Sequence, residues 1–164
     1  ELNDHYRFHD GLSQLHLWRA LDPYTRALER RPAYRMAESE AMNSLQLAPS
    51  QPAAWLRLAT VRWVLRDEPE TIIQPWKMSI FTGRTNASLL NRRVEIGLAF
   101  FSELDSEGIS MLRDQLLLAW RIRSGALVPV LAGRDPELAK VRALLADNDP
   151  TTLAEMEERL ESLR

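Results

Sequence analysis

The chain has 164 residues, of which 45% are hydrophobic and 27% charged, with three His and no Cys. This composition is typical of a globular protein and excludes a disordered or collagen-like chain. The absence of Cys excludes Cys-ligated zinc, iron–sulfur clusters and thiol catalysis. The net charge of −2 lacks the excess of cations that nucleic-acid binders concentrate on one face, so we expect no nucleic-acid partner.

No apolar run approaches the roughly 18 to 20 residues of a membrane span. The sequence begins at Glu1 and not at Met, so we expect that an initiating segment was removed. Any membrane attachment is therefore expected only through a segment that this sequence does not contain.

Apolar residues recur every three or four positions along nearly the whole chain, which predicts an all-α fold. Pro32 is expected to end the second helix, Pro75 to delay or kink the fifth, and Gly83 to end it. Cap and breaker residues predict helices over about 3–20, 22–31, 33–47, 51–66, 70–82, 86–104 and 106–123, irregular or broken helix over 124–133, a short helix from 135 and an acidic one from 149.

The junction of the third and fourth predicted helices resembles a tetratricopeptide repeat (TPR), a helix–turn–helix unit of about 34 residues. Ala37, Ala41 and Pro49 stand at the positions of the Ala, Phe and Pro that close one repeat, and Trp55, Leu58 and Ala59 at those of the Trp, Leu and Gly that open the next. Ala41 and Arg62 depart from the pattern, which has bulky aromatic residues there, and the flanking units are degenerate. The resemblance implies a right-handed α-solenoid of antiparallel hairpins, with an irregular helical bundle as the alternative.

This resemblance implies a single domain over residues 1–164, with about 135–164 as a C-terminal capping or groove-filling segment. In TPR units the first helix of each pair lines a concave groove. Carried onto this chain, the groove comprises Leu56, Thr60, Trp63, Leu90 and Val94, edged by Arg66, Arg92 and Arg93. Such a groove suits an amphipathic helix or extended peptide that bears acidic residues.

The last helix offers a second occupant for that groove. Its apolar stripe of Leu153, Met156, Leu160 and Leu163 can fill the groove from within the chain. Should the stripe be left uncovered, we expect a homodimer through it.

A second, broader resemblance concerns function. The chain is similar to small envelope proteins encoded with bacterial exopolysaccharide and O-antigen machinery, in the segments Trp55-Leu56-Arg57-Leu58-Ala59, Ser79-Ile80-x2-Gly83, Leu89-x2-Arg92-x3-Ile96-Gly97 and Ala119-Trp120. It implies a membrane-anchored protein whose TPR-like domain faces the periplasm.

The remaining residues give little support for catalysis. His5 and His9 are four apart and can share a metal with Asp4 or His16, but we expect exposed histidines and no metal site. Neither paired carboxylates facing one cleft nor a nucleophile or phosphate-binding motif is evident, so we expect no enzyme activity and no cofactor. Trp55, Trp18 and Trp120 are expected in the core.

These observations favour a non-catalytic scaffold that binds another protein of a bacterial envelope assembly for polysaccharide biosynthesis or export. One alternative is a cytoplasmic adaptor or regulator with the same groove. Another is a glycan-binding or polysaccharide-processing protein that uses its tryptophans as sugar platforms.

Overall fold

The computed structural model describes residues 5–131 and 135–162, and within these ranges it is all-α, as the periodicity predicts. The described helices are α1 (Tyr6–Leu21), α2 (Ala27–Leu47), α3 (Pro52–Leu65), α4 (Pro69–Thr82), α5 (Leu90–Ala99), α6 (Ser106–Leu131), α7 (Asp135–Leu145) and α8 (Pro150–Glu161), with one turn of 3-10 helix at Phe101–Glu103.

The chain divides into two compact units, an N-terminal unit of Glu1–Arg84 with α1 to α4 and a C-terminal unit of Thr85–Arg164 with α5 to α8. In the N-terminal unit α1 packs on α2, α2 on α3 and α3 on α4. In the C-terminal unit α5 packs on α6, and α8 contacts α6 and α7. Within each unit, helices that follow one another in the sequence therefore pack together. The single domain expected over residues 1–164 stays a prediction.

Several helix starts follow local chemistry, as predicted. Pro52 occupies the first turn of α3, where its missing N–H would have had no helical partner. The Asp149 carboxylate accepts the Thr152 backbone N–H at 3.1 Å to cap α8, and Asp105 accepts that of Gly108 at 2.8 Å near the start of α6. The end of α2 at Leu47 also agrees with the prediction. The predicted cap at Asn3 lies outside the described residues.

The prediction that Pro32 separates two helices is wrong. Residues 22–26 form a loop, and α2 runs from Ala27 through Pro32 to Leu47. Pro32 is the sixth residue of α2, so the carbonyl that loses a helical hydrogen bond is that of Leu28 in the first turn. Leu28 is 90% exposed, and water can satisfy that carbonyl.

Two boundaries in the C-terminal unit differ from the predictions, and a third agrees in part. Asn86 accepts the Ser88 backbone N–H in a turn instead of capping a helix, so α5 starts later, at Leu90. The chain leaves the α-helix after Ala99 and takes one 3-10 turn. At Arg123 the backbone turns non-helical (φ −144°, ψ 43°), which confirms a broken helix after this residue, although helix resumes to Leu131.

Small residues carry the packing of the N-terminal unit. One cluster joins Leu17, Ala37, Val61 and Leu65, with Tyr34 against it. The second joins Ala41, Leu45, Ala54 and Leu58, with the half-buried Trp55 against it. Alanines at 37, 41 and 54 are fully buried, which allows the helix backbones to approach closely. These positions include both alanines assigned to the close of the repeat.

The tryptophans distribute differently from the prediction. Trp18 is 61% exposed, so its assignment to the core is wrong. The inner face of α1 is formed by Ser13, Leu17 and Ala20. Helical geometry turns Trp18 away from that face. Trp55 and Trp120 are half-buried, whereas Trp76 in α4 is fully buried.

Candidate functional site

The predicted groove residues of α3 and its end differ in exposure. Leu56 is 4% exposed and Thr60 is 7% exposed, Trp63 is half-buried, and Arg66 is exposed. Arg66 ends α3 in the left-handed conformation (φ 60°). Of these four residues, Trp63 and Arg66 offer surface to a partner, whereas Leu56 and Thr60 lie in the interior.

The predicted groove residues of α5 are mainly interior residues. Leu90, Val94 and Arg93 are fully buried. Burial lowers the pKa of Arg93 to about 10, and its guanidinium donates a hydrogen bond to Gln115 Oε1 at 3.0 Å. Arg92 is half-buried and lies 2.6 Å from the Glu95 carboxylate. Arg92 and Arg93 thus already interact within the chain, and the single groove that joins the eight residues stays a prediction.

An open groove lies instead on a neighbouring face of α3, between α3 and the end of α2. Its cavity volume is about 350 Å³. The lining residues are Met42, Leu45, Gln46, Pro49, Trp55, Leu58 and Arg62, and we call this surface the α2–α3 groove. Most of these side chains are apolar, and Met42 is 41% exposed. A concave, mainly apolar surface of this kind receives an apolar group from a ligand or partner.

The indole of Trp55 forms a fixed wall of the α2–α3 groove. Its ring N–H donates a hydrogen bond to the Pro49 carbonyl at 2.7 Å, across the turn between α2 and α3. One side of the ring packs on the cluster that contains Leu58 and Leu45. Because the ring is held at both places, the groove is formed before any partner arrives, which lowers the ordering cost of binding.

Arg62 closes one end of the groove as part of an ion-pair network. Its Nε–H donates to Glu38 Oε1 at 2.8 Å and its Nη1–H to the Thr71 carbonyl at 3.0 Å. Arg35 in turn donates to Glu38 at 2.6 Å and to both Asp67 oxygens at 3.0 and 3.1 Å. Hydrogen bonds to Asp67 and Glu38 raise the pKa of Arg35.

The network decides what the groove can attract. The charge of Arg62 is already met by Glu38, so this cation is not available to an acidic residue of a partner. The open part of the groove presents the Met42 and Trp55 side chains. The α2–α3 groove therefore favours an apolar side chain over an anion.

Sequence reasoning assigned part of this groove to the core and missed the rest. Trp55, Leu58 and Arg62 follow the spacing i, i+3 and i+7, which marks one face of α3. The sequence does not indicate that the partner helix leaves this face partly open. Met42 and Gln46, four apart on α2, carry the matching signal on the other wall.

The polar clusters elsewhere have structural partners. His9 Nδ1 lies 2.6 Å from Glu40, and His5 Nδ1 accepts the Arg7 backbone N–H at 3.2 Å. Within the described ranges, no group of three or more His, Asp or Glu is arranged to hold a metal ion. Asp4, named above as a possible ligand, lies outside these ranges.

The middle of the apolar stripe of α8 is covered within the C-terminal unit, whereas Leu153 is half-buried. Met156 is fully buried and Leu160 is 7% exposed, on a helix that packs on α6 and α7. Arg142 of α7 also pairs with Glu157 of α8 at 2.5 Å. Met156 and Leu160 are thus not available to a second copy of the chain, and a homodimer stays a prediction. Leu163 lies outside the described residues.

Comparison with known proteins gives no relative: no protein-family model, no curated protein and no solved structure matches the chain. Among the helices of residues 5–131 and 135–162, none is long and apolar enough to cross a bilayer.

Proposed function

We propose that this protein is a non-catalytic, TPR-like helical scaffold that binds another protein through the α2–α3 groove. The observation that carries the proposal is the preformed groove beside the indole of Trp55, which the Pro49 carbonyl holds in place. The TPR-like arrangement is supported by the succession of hairpins in the N-terminal unit and by the buried alanines at positions 37 and 41.

The partner supplies one or two apolar side chains on a helix or an extended segment. A cavity volume of about 350 Å³ accommodates a side chain such as Leu or Phe but not a folded domain. Met42 favours such a role because its flexible thioether adapts to the shape of an inserted group. Trp63 and Arg66, from the predicted groove, are exposed enough to contact a longer partner.

We place this scaffold in a bacterial envelope assembly for polysaccharide biosynthesis or export, with the chain at the periplasmic face of the inner membrane. The resemblance in the segments around Trp55, Ser79 and Leu89 supports this location. Cell fractionation with an antibody to the chain tests it separately from the groove. Recovery from the membrane or periplasm agrees with the proposal, and recovery from the cytosol alone contradicts it.

The groove is tested by affinity capture from envelope fractions of the source organism, followed by mass spectrometry. The intact chain is compared with Met42→Glu, which replaces the exposed apolar side chain beside Arg62 with a charged carboxylate in the groove without truncating the core. We expect a polysaccharide or secretion component that the intact chain enriches and that Met42→Glu loses.

Two further variants make the result specific. Phe81→Ser removes a side chain that is 78% exposed on α4, outside the groove, and is expected to retain the partner. Trp63→Ala tests the predicted groove on the other face of α3. Equal recovery with the intact chain and with Met42→Glu refutes the α2–α3 groove, and loss with Trp63→Ala alone transfers the site to the predicted face.

A further inference from the structure

The end of the α1–α2 hairpin exposes several large apolar side chains. Tyr24 is 93% exposed, Leu28 90%, Trp18 61% and Leu21 57%. Tyr24 lies in the loop between the helices, and the other three lie in the last turn of α1 or the first turn of α2. We call residues 18–31 the hairpin tip. Single exposed apolar residues are common, whereas four within eleven residues of chain, on two helix ends and the loop that joins them, point to an interaction surface.

The hairpin tip projects beyond the other hairpin of the N-terminal unit. Arg35, more than two turns into α2, pairs with Asp67 in the turn between α3 and α4. Tyr34 still packs on the cluster that contains Val61 and Leu65, so the segment 27–32, roughly 9 Å of helix, is the part of α2 that extends past that turn. Leu17 of α1 packs on Ala37 and Val61, so the residues that follow it in α1 lie at the projecting end.

The hairpin tip is also basic. Between Trp18 and Arg31 the sequence has four arginines and two carboxylates. Arg19 pairs with Glu29 at 3.1 Å, whereas Arg26 and Arg31 form no ion pair with any residue that the structure describes.

Arg30 is used differently, since it braces the loop. Its guanidinium donates to the Thr25 carbonyl at 3.1 Å and to the Pro23 carbonyl at 3.3 Å. The second carboxylate, that of Asp22, accepts the Tyr24 backbone N–H at 2.9 Å. Both contacts fix the loop that carries Tyr24, and neither neutralises Arg30.

We propose that the hairpin tip docks on an anionic lipid bilayer, with Trp18, Tyr24 and Leu28 in the interfacial region and Arg26 and Arg31 at the lipid phosphates. Aromatic side chains with a polar end favour the boundary between headgroups and acyl chains. Arginines beside an anionic membrane surface add electrostatic attraction. Binding at a membrane interface is strengthened by buried apolar area and by attraction to anionic lipids, and the hairpin tip offers both exposed apolar side chains and arginines.

Vesicle co-sedimentation of the full chain tests this proposal. The probes are vesicles of phosphatidylcholine alone and of phosphatidylcholine mixed with phosphatidylglycerol. We expect binding to the anionic vesicles that weakens as salt is raised, and little binding to the neutral ones.

Two double variants separate the two contributions. Arg26→Gln/Arg31→Gln is expected to weaken binding to the anionic vesicles by about tenfold or more. Tyr24→Ser/Leu28→Ser is expected to weaken it by at least a similar factor, since both side chains are almost fully exposed and their removal leaves the core intact. Circular dichroism checks that each variant is folded.

Matched controls make the same chemical changes at exposed positions elsewhere, namely Arg121→Gln/Arg159→Gln and Leu47→Ser/Phe81→Ser. Both are expected to bind as the unchanged chain does. The absence of binding to anionic vesicles, equal binding to both vesicle types, or equal loss in the controls overturns the proposal. A dimer in sedimentation velocity that Tyr24→Ser/Leu28→Ser dissociates also overturns it, because a second copy then covers the hairpin tip.

This proposal is independent of the α2–α3 groove. Met42→Glu is expected to bind vesicles as the unchanged chain does while it loses the protein partner. Failure of one proposal therefore leaves the other standing.

Discussion

Two turns of the N-terminal unit, each containing proline, have opposite surroundings. At the turn between α2 and α3, the Pro49 carbonyl accepts the Trp55 indole N–H, and the alanine at position 54 is fully buried. At the turn between α1 and α2, Tyr24 and Leu28 are almost fully exposed. Proline and cap residues mark both turns in the sequence, but only packing against other helices decides whether the side chains beside a turn are buried or exposed.

Truncation of a leucine near each turn is expected to give the largest difference in the free energy of unfolding. Leu58→Ala truncates a side chain that is 3% exposed in the cluster beside the α2–α3 turn. We expect it to lower the free energy of unfolding by about 3 kcal/mol. Leu28→Ala makes the same change at the hairpin tip, where the free energy of unfolding is expected to change by less than about 0.5 kcal/mol. Urea denaturation followed by circular dichroism measures both. Equal losses would show that the hairpin tip is packed.

Two glycine substitutions test how closely the end of α4 approaches the start of α3, next to the α2–α3 turn. A Cβ on Gly83 would lie 2.7 Å from Pro52 Cγ, in the ring that begins α3, so Gly83→Ala is expected to cost about 1 to 3 kcal/mol. A Cβ on Gly11, in the middle of α1, meets nothing within 4 Å. Gly11→Ala is expected to gain up to about 1 kcal/mol, because alanine favours the helix. The melting temperatures of the two variants test this comparison. A higher melting temperature for both variants would contradict the close approach of Gly83 to Pro52.

A smaller effect is expected from removing one hydrogen bond. Trp55→Phe keeps an aromatic ring in the groove but deletes the N–H that the Pro49 carbonyl accepts, and we expect a loss of about 1 kcal/mol. Trp18→Phe, at an exposed position, is expected to leave the stability nearly unchanged. The same urea titration applies, and similar values for both variants argue against an anchoring role for the Trp55 indole.

The smallest effect concerns the loop of the hairpin tip. Arg30→Gln removes the hydrogen bonds to the Thr25 and Pro23 carbonyls, and the global stability is expected to change by less than about 0.5 kcal/mol. Amide hydrogen exchange is expected to quicken in residues 22–26 and to stay unchanged in the turn at 48–51. Unchanged exchange in both turns would show that Arg30 does not brace the loop.

Local signals predicted the fold class and many helix ends. Pro52 in the first turn of α3, and the Asp149 cap with Pro150 in α8, were predictable because a proline in the first turn and a side-chain cap depend on neighbouring residues alone. Pro32 misled the prediction because one lost hydrogen bond near the exposed start of α2 is tolerated. Asn86 fits a turn as well as a helix cap, and the chain uses it in a turn.

The candidate site was harder to predict than the fold. Periodicity identified both apolar faces of α3, but it did not indicate which face the other helices cover. Leu56 and Trp55 are adjacent in the sequence, yet Leu56 is buried and Trp55 borders the α2–α3 groove. No local signal in the sequence marks Met42, because its role depends on where α2 packs on α3. The exposure of Trp18 could not be predicted from the sequence, because it depends on how far α2 extends beyond the α3–α4 turn.

The most direct test of the scaffold is site-specific photo-cross-linking in living cells. A photoreactive phenylalanine derivative replaces Met42 in the α2–α3 groove and, in a matched variant, Phe81 on the exposed face of α4. The account predicts a covalent adduct with one envelope protein from position 42 and none of that adduct from position 81. Identical adducts from both positions, or none from position 42, would contradict the groove as the partner site.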